Sequence, residues 1–158
     1  MKKITFILFA LIAGTTFAQD SDFATASAAA DIVSPIAITS QEDLNFGKVA
    51  NNAAGKVIVA TDGTATGLSQ IGTTTPSAAT FDVTAASGYA YSVSLPESVE
   101  LVSGTNKMTV DTFKDNAGAT PQGTGEVQTI GVGATLNVAT SQATGNYTGE
   151  FNVTVTYN

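Results

Sequence analysis

The strict two-residue alternation that closes this chain does more than any other feature to fix what it can become. From Tyr147 the odd positions read Tyr147, Gly149, Phe151, Val153, Val155 and Tyr157, and the even ones Thr148, Glu150, Asn152, Thr154 and Thr156. Successive side chains of an extended strand point to opposite faces, so this segment has one apolar and one polar face. The same period returns in Ile130, Val132, Ala134, Leu136 and Val138, and in Tyr89, Tyr91, Val93 and Leu95, where Pro96 stops the run. Shorter strands are expected at Phe81 with Val83, Val57 with Val59, and Met108 with Val110. The stretch Ile32 to Ile38 is apolar but broken by Pro35, which lacks a ladder donor and places that strand at an edge or a change of sheet. No segment of helical period follows the N-terminal run.

Turn signals separate these strands: Asp62-Gly63, Ser87-Gly88, Ser103-Gly104, Asn116-Ala117-Gly118 and Gly145-Asn146. Thr61 to Ala79 is rich in Thr, Gly and Ser and reads as a long loop or a poorly ordered strand pair, and Asp115 to Gly125 is similar. Many short strands at this spacing predict an all-β fold, an antiparallel β-sandwich of immunoglobulin-like type.

The chain begins Met1-Lys2-Lys3, then runs apolar from Ile4 to Ala13 and reaches small residues before Gln19. A basic start, a short apolar stretch and a small-x-small exit describe a secretory signal peptide over residues 1–18. A membrane span needs about twenty apolar residues, roughly twice this run. The expected mature chain has 158 − 18 = 140 residues, with a flexible leader over 19–30 and one domain over 31–158. It is expected to be secreted, through a periplasm to the cell surface. It keeps Lys48, Lys56, Lys107 and Lys114 against 13 acidic residues (4 − 13 = −9) and has no arginine. So few cations cannot form the basic footprint that a phosphate backbone requires, so nucleic acid is a poor partner, and so is an anionic membrane. With no cysteine, stability must come from packing and ladder hydrogen bonds.

The usual catalytic groups are missing. Without His or Cys, no Ser–His or Cys–His nucleophile and no common zinc site can be assembled. The carboxylates are scattered, and reading them as solvated surface groups outweighs a glycosidase pair. Asp20 with Asp22, and Glu42 with Asp43, lack the alternating oxygen ligands of a calcium loop. Gly131-Val132-Gly133-Ala134-Thr135-Leu136 starts like a dinucleotide loop but lacks its last glycine and following helix, and reads as strand. Asn146-Tyr147-Thr148 and Asn152-Val153-Thr154 match the glycosylation pattern at a frequency chance allows. Tyr89, Tyr91, Tyr147 and Tyr157 lie on apolar strand faces, where core packing is the expected role. The expectation is no enzyme, no cofactor and no metal.

One constellation goes further. Tyr157 is penultimate, and Gly145 stands 157 − 145 = 12 positions before it. With the alternating Phe151, Val153 and Val155, that is how subunits of chaperone–usher pili commonly end. Ile32-Val33-Ser34-Pro35-Ile36-Ala37-Ile38, Asp43-Leu44-Asn45-Phe46-Gly47, Ser94-Leu95-Pro96, the Gly131 to Leu136 string and Gly145-Asn146-Tyr147-Thr148-Gly149 complete the pattern. Together they resemble the secreted bacterial domain-of-unknown-function family 4402, itself similar to the pilin-like domains of spore coat protein U and of archaic chaperone–usher pili.

The resemblance implies a sandwich lacking its last strand, filled first by a periplasmic chaperone and then by the N-terminal extension of the next subunit, with an outer-membrane usher guiding assembly. Other copies or related subunits are then the partners. Gly145, Tyr147, Phe151, Val153, Val155 and Tyr157 become the assembly edge, and the leader with Phe23, Ala24, Ala26, Ala28, Ala30 and Ile32 the candidate donor. The leader offers mostly small side chains, and many spore-coat-U-like domains carry cysteines that are absent here. A self-complete module binding a surface glycan or an envelope protein is the alternative.

Overall fold

The computed structural model describes residues 21–158, so the expected signal peptide and the first two leader residues lie outside the described residues. Among the described residues nine strands occur in order: β1 (Ala37–Glu42), β2 (Gly55–Val59), β3 (Ala65–Gly67), β4 (Ala79–Thr84), β5 (Tyr91–Ser94), β6 (Ser98–Ser103), β7 (Asn106–Asp115), β8 (Val127–Val138) and β9 (Thr154–Tyr157). All the strand pairings are antiparallel, and no helix occurs among the described residues. Ile32–Asn158 forms a compact unit holding every strand, whereas residues 21–31 carry none and are exposed throughout.

The organising element is β8, whose 12 residues are buried from Ile130 to Leu136. One edge pairs first with β4 (Phe81 opposite Ile130) and then with β2 (Val57 opposite Leu136). The other edge pairs with β7 (Val110 opposite Leu136), and β7 with β6. This gives a seven-stranded sheet, and β5 with β9 forms a separate pair (Tyr91 opposite Tyr157). A Cβ at Gly131 would strike the carbonyl oxygen of Thr61, and one at Gly133 that of Val59. These glycines therefore let a neighbouring backbone lie against β8, which accounts for the Gly-x-Gly string without any nucleotide.

Two apolar clusters make the core. The first joins Phe46, Val57, Val59, Met108, Val110, Leu136 and Val138. The second joins Val83, Ala85, Tyr91 and Ile130, with Val155 and Tyr157 packed on it, so β4 and the start of β8 face the β5–β9 pair as in a β-sandwich. Val57, Val59, Val83, Val110 and Val132 are fully buried. Each contributes roughly 1.5–3 kcal/mol, and no disulfide supplements them among the described residues.

The expected strands are present with three differences. The first begins only at Ala37, past Pro35, and pairs with β4 alone, so it is an edge; Ile32 is 98% exposed. Tyr89 lies outside β5 and is exposed, not core. The closing strand is laddered only over β9, because the residues before it leave β5 and meet β6 through the single bridge Val102–Thr148. Strands β3 and β6 had no counterpart among the expected strands.

Candidate functional site: a groove between two free edges

The segment after β1 and the segment before β9 form the walls of a groove of about 1710 Å³. One wall is residues 42–51, held on its outer side by the bridges Asn45–Ser77 and Val49–Gln70. The other is residues 142–152, held on its outer side by the bridge Thr148–Val102. Their inner edges have no ladder partner among the described residues, and neither do the second edges of β1 and β9. The floor is the core itself: Val99, Leu101, Met108, Val110, Leu136 and Val138.

The walls run in opposite directions and are tied to each other at one end. There Ser141 N donates to Asn51 O (3.2 Å) and Asn51 Nδ2 to Gln142 O (2.8 Å). Beyond the other end, past β1 and β9, the Tyr157 hydroxyl donates to Ser34 O (3.0 Å) and accepts from Ala86 N (2.7 Å). Along both walls the inner edges carry no ladder bond among the described residues, so the groove offers hydrogen-bonding partners along its walls and apolar contact at its base.

Local chemistry explains each wall. In Asp43-Leu44-Asn45-Phe46-Gly47, Asn45 Oδ1 accepts from Gly47 N (2.7 Å), Gly47 adopts φ +74°, and Phe46 turns into the core. In Gly145-Asn146-Tyr147-Thr148-Gly149, a methyl group on Gly149 would stand 2.6 Å from Glu100 O, and one on Gly145 would meet Ser103 Oγ. Both glycines therefore let the wall lie close along β6. Tyr147 packs on the first core cluster while its hydroxyl donates to Ala143 O (2.8 Å) and accepts from Gln142 Nε2 (2.8 Å).

Of the residues singled out from sequence, Gly145, Tyr147 and Phe151 line the groove. Val153, Val155 and Tyr157 continue that wall towards the β5 pairing; they and Phe151 remain only half-buried. Phe23, Ala24, Ala26, Ala28, Ala30 and Ile32 are all exposed. Sequence reasoning missed the aromatic group of Phe81, Phe113 and Phe151 at one end of the groove, with ring centroids 6.2 Å (Phe81–Phe151) and 5.1 Å (Phe113–Phe151) apart. It also missed that the Asp43 to Gly47 motif is a wall.

A second, hydroxyl-rich cleft includes Thr61, Asp62, Thr64, Thr75, Thr80 and Thr129. There Thr64 donates to the Asp62 carboxylate from its hydroxyl (2.6 Å) and its amide (2.9 Å), which holds that carboxyl below its ordinary range. Among the described residues no group of three or more acidic, His or Cys side chains is placed to hold a metal ion.

Residues 36–157 match the family model described as Domain of unknown function (DUF4402), so the chain belongs to that family. No curated protein and no solved structure gives a significant match.

Proposed function

We propose that this member of the DUF4402 family is a structural subunit of a fimbria- or pilus-like filament at the cell surface, joined to its neighbours by β-strand addition. One observation carries the reading: the groove has core residues for a floor and, for walls, two segments whose inner edges have no ladder partner among the described residues. Exposed edges invite another chain, and folded proteins that stay monomeric cover or blunt them. An inserted strand would gain main-chain bonds from both walls and apolar contact from the floor. A contact between one subunit's strand and the next subunit's groove is head-to-tail and does not close, so it propagates as a filament. A pilin-like, immunoglobulin-like sandwich short of one strand, export to the surface, a transient chaperone and an usher all belong to this reading, as does the absence of catalysis. The hydroxyl-rich cleft favours a second reading, a monomeric module that binds a glycan.

Light scattering after size-exclusion chromatography of the chain from Gln19 to Asn158 separates the two. Chain-like oligomers that resist mild detergent and collapse on boiling are expected of a filament subunit. A sharply melting monomer at every concentration overturns it.

A further inference from the structure

Resting on the strand-accepting reading, we propose that Phe23 of a second copy is the anchor of the inserted strand, seated on the Phe81, Phe113 and Phe151 rings. The three rings come from β4, β7 and the closing wall, and each is half-buried. Phe81 packs against the second core cluster and Phe113 against the first, so the rings span the seam between the two halves of the core. Phe81 and Phe151 meet edge-on at 77°, and Phe113 tilts at 41° to Phe151. Rings gathered this way yet left partly open favour a further aromatic side chain, which can meet them edge-to-face. Phe23 is 88% exposed and is the one aromatic residue among residues 21–31.

Length and direction agree. The wall from Ala143 to Phe151 has as many residues as the arm from Phe23 to Asp31. The groove extends from Phe151 towards Thr144, so an arm anchored by Phe23 stays within it only when antiparallel to that wall. Phe23 then stands opposite Phe151, Thr25 opposite Gly149, Ser27 opposite Tyr147 and Ala29 opposite Gly145. The small side chains of the arm fall where the wall is glycine or a single tyrosine. Asp31 arrives at the end where Lys48 lies, and Asp22 stays at the rim beside Asn152. The low apolar content of the arm is thus matched by a groove that needs one large side chain, at one end.

Disulfide trapping tests the register, and the chain has no cysteine to interfere. Ala24 and Glu150 are both exposed and stand opposite each other in this alignment. An Ala24→Cys chain and a Glu150→Cys chain, unfolded together and refolded, are expected to form disulfide-linked pairs on oxidation. An Ala30→Cys chain with the same Glu150→Cys partner is expected to form none. In parallel, Phe23→Ala should speed strand release roughly tenfold to a hundredfold, and Phe23→Leu should restore most of the loss. Linkage through Ala30→Cys in place of Ala24→Cys, or unchanged release in Phe23→Ala, overturns the anchor while leaving the strand-accepting reading intact. Oligomers that form with no arm linkage do the same. Failure of the unmodified chain to oligomerise at all removes both.

Discussion

The Tyr157 hydroxyl reaches the carbonyl of Ser34 at 3.0 Å across 123 positions of sequence, tying the last strand to the residues that lead into the first. The same oxygen accepts from the half-buried amide of Ala86 at 2.7 Å. Tyr157→Phe keeps the ring on Tyr89 and removes both bonds. The Ser34 carbonyl is exposed and finds water, so the loss falls mainly on Ala86. Urea unfolding is expected to show a loss of about 1–2 kcal/mol with an unchanged slope.

Harsher changes on the same wall test assembly. Phe151→Asp places a carboxylate among three rings, and Tyr157→Ser removes both the ring and the tie. On the filament reading, neither variant should be recovered from a cell that exports the protein, because the edge that the proposed chaperone would grip is lost. Normal yields of both, measured by immunoblot of the exported fraction, would count against the filament reading.

Deleting Asp20 to Ala30 leaves every strand and both core clusters in place. The shortened protein is expected to melt within a few degrees of the full chain by circular dichroism but to form no chain-like oligomers. Filaments from the shortened protein would show that the arm is not the inserted strand.

Gly133→Ala should be costly although it adds only a methyl group. The added carbon meets the carbonyl of Val59, a backbone atom that cannot swing aside. A loss of about 1–3 kcal/mol is expected in thermal or urea melts. A neutral result would mean that β2 and β8 can separate without penalty.

Alkaline pH offers a probe of the second cluster. Burial, with a smaller contribution from Asp115, raises the Tyr91 hydroxyl above its ordinary 10.0. The unfolded chain therefore loses this proton before the folded one does. The associated stability is complete below the unfolded value and is lost as pH rises from there through the folded value. Tyr91→Phe should flatten that decline, as read from melting temperature against pH.

The all-β class, the run around β8 and the apolar face of the closing segment were legible because period-two alternation reports directly on a half-buried strand. Strand β6 was less visible: Val99 and Leu101 alternate with Glu100 but span only 6 residues between Pro96 and a turn. Strand β3 has 3 residues and is set by its pairing with β2, not by its composition. The middle of the closing segment alternates as well as its end, yet only Thr154–Tyr157 is laddered. Alternation records which face is apolar; it does not record whether a neighbour is present to pair. For the same reason Gly145, Tyr147 and Phe151 could be singled out while the groove could not. Phe81, Phe113 and Phe151 lie far apart in the chain and meet only because β4 and β7 both pair with β8.

The central position of β8 also sets when this protein can fold. Gly55 waits for Val138, Phe81 for Ile130 and Thr109 for Asn137. A chain emerging from its N-terminus, whether from a ribosome or through an export channel, can pair β1 with β4 and β6 with β7, but neither pair has a buried face until β8 arrives. Loop closure over such separations is slow, and two-stranded pieces are marginal alone. Nearly the whole length must therefore be out before collapse is rewarded, which keeps the emerging chain extended for most of that time.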